Sequence, residues 1–265
     1  MNENIKYFAG AAAVVGLSVG AVIYISRDRS TPPPKAPVVA APELPPPAAP
    51  EEPAIKHPLP TPETQAPLPP LNESDAPLKG ALTELLGPES VAQFIAPKEL
   101  ARHIVVTIDN LPNEKVAERL RPLLPTDGRF VVAGSEDAPV LDPANYQRYK
   151  SLVELIRATD TKQLVEGYTR YYPLFQEAYE SLGHPPEYFN DRLIEVIDHL
   201  LATPELSGPI ALTQPNVLYQ FADPKLESMS AGQKVLIRMG PENAKVVKDK
   251  LRQLRGELVA QPPAH

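Results

Sequence analysis

The chain has 265 residues, a formal net charge of −7, no cysteine and 34 prolines, with a sequence pI near 5.4. Sixteen of the prolines fall between Pro32 and Pro70, a span of 39 residues, and such a stretch lacks both the backbone donors and the apolar bulk that a core needs. The composition excludes one continuous globule, disulfides and thiol chemistry, and its acidic balance argues against a nucleic-acid partner.

Residues 1–6 form a short tail. Tyr7 to Ser26 is a run of 20 uncharged residues between Lys6 and Arg27, and at about 1.5 Å per residue it matches the roughly 30 Å of a hydrocarbon core. We read residues 7–26 as a transmembrane helix rather than a cleaved signal, whose apolar region is usually about 7–15 residues. Ala12, Gly16 and Gly20 recur at spacing four. They are the candidates for close helix packing in the membrane and for a weak homodimer, unless Ala and Gly are simply common in this helix. The flanking charges lean slightly toward a cytoplasmic body. The proline-rich tether behind the anchor argues for the opposite, an inner-membrane protein whose C-terminal domain stands in the periplasm.

Residues 27–70 alternate proline with Ala, Val and Leu, and read as a disordered, semi-rigid polyproline spacer. Its proline-dense 39 residues reach on the order of 120 Å when fully extended. Docking of a proline-reading partner is the alternative.

The body, residues 71–259, is punctuated as helices. Ser74 precedes an apolar run with Leu78, Leu82, Leu85 and Leu86, and Gly87-Pro88 stops it. Leu100, Ile104, Ile108 and Leu111 place one helical face over 98–111. A short helix follows over about 113–121. Phe130-Val-Val-Ala is strand-like, with a polar loop behind it. Helices are predicted over about 143–157, 160–182 and 187–202, with Asp142 and Asp160 as N-caps and Gly183 as a stop. Asp223-Pro224 opens another short helix, Ser230 begins one ending at Gly240, and Pro241 begins the last, to about Val259. The expected fold is all-α, with room for one small hairpin, and residues 260–265 are a disordered tail.

The strings Tyr172-Pro-Leu-Phe-Gln-Glu-Ala-Tyr179, Phe189 to Pro204, Leu218-Tyr-Gln-Phe-Ala-Asp-Pro224, Ser230-Ala-Gly-Gln-Lys234 and Arg238-Met-Gly-Pro241 carry a resemblance, as does Phe94 to Asn110. Over about residues 71–258 the chain resembles a bacterial family, domain of unknown function 3014. The resemblance implies an N-terminal anchor and a proline-rich linker, and brings no established activity.

Three groups of residues are candidate sites. Asp191, Glu195 and His199 follow at i, i+4 and i+8 on one helix face, where two carboxylates and an imidazole can serve acid–base chemistry or hold a cation. The spacing matches no metalloprotease or di-iron signature, and a polar helix edge is the preferred reading. Tyr168, Tyr172, Phe175 and Tyr179 make an aromatic stripe. As an open surface it would stack on sugar rings; at helical spacing it reads better as core. Residues 225–255 carry eight basic against three acidic residues. Lys245, Lys248, Arg252 and Arg255 would form a basic face toward an anionic surface or, preferably, a solvated face attracted to the acidic half of the same domain. No motif implies a cofactor or a metal. The function read from these features is a membrane-anchored helical binding or scaffolding domain with a protein or envelope partner. The alternative is a membrane-tethered hydrolase or metal-dependent enzyme acting through Asp191, Glu195 and His199.

Overall fold

The computed structural model describes residues 54–60, 67–115, 118–126, 128–184 and 187–260. The proposed membrane helix with Ala12, Gly16 and Gly20, the tails 1–6 and 261–265, and most of the proline-rich stretch lie outside these residues. Among the described residues no helix is long and apolar enough to cross a membrane.

Among the described residues ten α-helices build the body: α1 Asp75–Leu86, α2 Pro88–Phe94, α3 Leu100–Asn110, α4 Ala144–Gln147, α5 Lys150–Ala158, α6 Thr161–Glu180, α7 Phe189–Leu201, α8 Pro224–Glu227, α9 Ala231–Arg238 and α10 Pro241–Val259. The expected all-α body is thus mostly right. Asp160 caps α6 by accepting from the Gln163 amide, and Ser230 with Gln233 forms a capping box at α9. Both satisfy amides that a helix start leaves unpaired.

Three local expectations need correction. Among the described residues of 113–121 the expected helix is reduced to a 3₁₀ turn, Glu118–Leu120, because the chain leaves α3 in a turn closed by Asn113 N–H on the Asn110 carbonyl. The helix expected over 143–157 is divided into α4 and α5 at Arg148–Tyr149. The loop behind Phe130 is half of a hairpin: β1, Val132–Ser135, pairs antiparallel with β2, Ala138–Leu141. Gly134 makes that hairpin close, since its φ is 87° and a Cβ there would collide with the Ala138 carbonyl. A second pair, β3 Leu212–Thr213 with β4 Gln220–Phe221, joins the first through a bridge between Val140 and Ala211.

The main core lies where α3, α5, α6, α7 and α10 meet, around Val105, Ile156, Phe175, Phe189, Ile197 and Leu251. The strands and α9 carry a smaller cluster of Leu141, Leu212, Phe221 and Ile237. Residues 54–60, part of the stretch read as linker, also belong to the packed body. Leu59 is only 6% exposed within the main core, so the packed unit begins before Leu71.

Candidate functional site

The polar edge of α7 is assembled by three segments far apart in sequence. The first turn of α7 has no side-chain cap from Tyr188. Its amides that lack a partner within the helix are served by α6 instead: Phe189 N–H donates to Gln176 Oε1 at 2.9 Å, and Asn190 N–H donates to the Tyr172 hydroxyl at 3.2 Å. Tyr172 O–H in turn donates to Gln176 Oε1. A 20-residue helix therefore caps its 13-residue neighbour.

Thus held, α7 receives the strap formed by residues 54–60. The Asp191 carboxylate accepts the Lys56 and His57 amides at 2.9 and 2.8 Å. Asn190 Nδ2 donates to the His57 carbonyl, and Leu59 N–H donates to the Tyr188 hydroxyl. Asn190 is fully buried and also accepts from the Tyr168 hydroxyl. Ordering a strap costs about 1–2 kcal/mol per residue. Pro58 and Pro60 reduce that cost because their φ angles are fixed before docking. Two hydrogen bonds to a carboxylate, about 1.5–3 kcal/mol each, then offset part of what remains.

The predicted Asp191, Glu195 and His199 do share α7, but the fold gives them separate duties. Glu195 is exposed, 3.6 Å from Lys56 Nζ and 3.6 Å from Arg192. His199 Nε2 lies 2.9 Å from Ser230 Oγ, and the Gln233 amide donates to the His199 carbonyl, tying the end of α7 to the start of α9. Among the described residues no three of His, Asp and Glu are placed to hold a metal ion.

The aromatic stripe is core. Tyr179 is 1% exposed, Tyr168 stacks on Phe175 at 5.6 Å and meets Tyr172 edge-on. Burial first, then neighbouring groups, holds the Tyr168, Tyr172 and Tyr179 hydroxyls well above the usual phenol range, so all three remain neutral donors. The basic face also needs correction. Lys248 is buried and donates to the Thr203 carbonyl, because its phase on α10 turns it inward beside Val247 and Leu251. Lys245 and Arg252 share Asp249, and Arg255 grips Asp198 through two bonds, so much of the positive charge is matched locally.

Sequence reading missed Asp109 and His184. Arg192 donates from Nε to Asp109 Oδ1 at 2.8 Å and from Nη2 to the Asp109 carbonyl. His184 sits 3.5 Å from both Asp109 and Glu187 and stacks on Tyr179. No spacing rule links Asp109 to Arg192; only the packing of α3 against α7 brings them together.

The site carries a pH dependence. Burial, with help from the Arg192 charge, lowers the His199 pKa below its ordinary 6.5. Burial lowers that of His103 as well, against the opposing pull of Glu99 and Asp75. Both are lowered bases, so the unfolded chain takes up protons first as pH falls. Stability is full above about pH 6.5 and declines as pH drops from there toward the folded-state values. Thermal melts should show this decline, and His199→Gln should make it shallower. An unchanged slope in that variant would remove His199 from the account.

Comparison with known proteins adds one match. A family model described as "Protein of unknown function (DUF3014)" matches residues 100–255. That span includes α3 through most of α10. No curated protein and no solved structure matches.

Proposed function

The chain belongs to the DUF3014 family of proteins of unknown function, and from there we propose that it is a single-pass inner-membrane protein presenting a helical binding or scaffolding domain in the bacterial cell envelope. Residues 7–26 would anchor it and the proline-rich stretch would hold the body away from the bilayer on the periplasmic side.

The observation that supports this reading is the seat of residues 54–60 on α7. A tether ending in a free joint leaves its cargo to tumble. Here residues 54–60, the first described residues of the chain, are fixed by four hydrogen bonds to Asp191, Asn190 and Tyr188, which would give the body one orientation on its tether. The same bonds occupy both Asp191 oxygens, which favours a positioning role for that carboxylate over the hydrolase alternative.

Asp191→Ala tests the clamp. The Lys56 and His57 amides should exchange with solvent at least about tenfold faster, while the melting temperature of the body moves little. Unchanged protection of these two amides would mean that the carboxylate does not hold the strap. A reporter fused after His265 tests the location. Activity only outside the cytoplasm is expected, and activity only inside would reverse the orientation. Photocrosslinking in cells from Arg252, which is exposed on α10, should trap a discrete partner; a trace that matches a cytosolic control would count against scaffolding.

A further inference from the structure

The main core is incompletely filled. A cavity of about 200 Å³ opens between α1, α3, α6 and α10, larger than the about 150 Å³ apolar cavity that can take up a benzene-sized ligand. Its walls are apolar, with the half-buried Leu82, Leu86, Ile104 and Leu164 among them.

Two features of the wall point to a ligand. Gly167 lies inside α6, where glycine weakens a helix relative to alanine. A Cβ there would meet nothing within 4 Å. Gly167 therefore borders open space in the cavity wall, at a cost to its own helix. The second feature is Lys250, which is 7% exposed and lines the same cavity. Two other buried lysines have carboxylate partners: Lys234 has Glu227 and Lys248 has Glu205. Lys250 has none within 4.0 Å among the described residues. Its ammonium donates to the Thr159 carbonyl at 2.6 Å and to the Thr161 hydroxyl at 3.2 Å. An ammonium has three donors and a buried charge calls for an anion.

We propose that this cavity binds the acyl chain of an anionic single-chain amphiphile, with the carboxylate or phosphate head on Lys250 and the chain among the leucines of α1, α6 and α10. The apolar walls and the unmatched cation suit an amphiphile better than a neutral hydrocarbon, which would leave the lysine without its counter-charge. This goes beyond the scaffolding reading, and only the nanodisc format of its test rests on the anchor proposed there.

The test is calorimetric titration of the full chain in phosphatidylcholine nanodiscs, with empty discs as the blank. The probes are decanoate, octanoate, decanol and decanoyl lysophosphatidate, all below their micelle concentrations. Decanoate should bind, and octanoate should bind about fifteen-fold more weakly, since each buried methylene is worth about a factor of four. Lys250→Met should weaken decanoate at least about tenfold and leave decanol unaffected. Gly167→Leu should abolish binding of both, with a melting temperature equal to or above the wild type. If Gly167→Leu melts lower, Leu164→Phe supplies the same block from the neighbouring wall. Tighter binding of lysophosphatidate than of decanoate would identify the source as membrane lipid, and the reverse a free fatty acid. Heats that match the empty discs would overturn the proposal, as expected if residues 7–26 or a second copy of the chain fill the space. So would equal decanoate affinity in Lys250→Met, or undiminished binding in both blocking variants.

Discussion

Phe189→Ala should cost about 3–5 kcal/mol of folding stability, a large part of the about 5–15 kcal/mol that holds an ordinary domain together. The side chain is fully buried. Its ring lies 5.4 Å from that of Tyr179 and 6.4 Å from that of Phe175. Truncation removes the apolar contact of the largest group at the start of α7 and leaves a void that α6 and α7 can only partly close. The effect should spread to the strap, because Asn190 and Asp191 take their positions from the same helical turn. The measurement is the shift of the urea midpoint at constant slope, and Phe189→Leu should lose distinctly less. A loss below about 1 kcal/mol for the alanine variant would show that the site relaxes around the hole. Phe189 would then not be the platform described here.

Gly240→Ala should cost about 3 kcal/mol of folding stability. Gly240 links α9 to α10 with φ 85° and ψ 161°, a region used almost only by glycine. The strain of placing alanine there is about 1–3 kcal/mol. A Cβ would also lie 2.6 Å from two atoms of the Tyr146 ring, closer than carbon atoms approach without displacing the ring. Gly256 is the control within α10. Space around it is open and its φ is ordinary, so Gly256→Ala should stabilise by about 0.5–1 kcal/mol through helix propensity. Opposite signs from the same substitution at the N-cap of α10 and inside it would isolate the linking conformation as the cause. If both variants melt together, that conformation carries no special constraint.

Much of the helical framework was legible because its signals are local. Asp160 and Ser230 occupy cap positions, Pro241 opens α10, and Gly183 and Gly240 stand where helices stop. Each of these residues acts on amides or dihedrals within one turn of itself. The hairpin was half legible: Phe130-Val-Val-Ala announced a strand by composition, but Ala138–Leu141 has no strand character until its partner is beside it. The split between α4 and α5 and the loss of the 113–121 helix were missed for the same reason, since apolar spacing continues across both.

The candidate site was legible only as a set of residue types. Asp191, Glu195 and His199 do stand on one helix, and their spacing correctly puts them there. What each of them touches depends on segments up to 135 residues away. The basic stripe shows the limit of periodicity most directly: Lys245, Lys248, Arg252 and Arg255 share a helix, yet Lys248 is buried while Lys245 is open to solvent.

By itself the sequence determined that this is a helical body behind a proline-rich stretch and a long apolar run, because proline content, apolar period and caps act on near neighbours in the chain. Only the tertiary structure decided that α6 caps α7, that Asp191 holds the strap, that Asp109 meets Arg192, and that Gly167 and Lys250 face one cavity. Those relations come from packing between helices, which turns side chains inward or outward according to partners that no local pattern encodes.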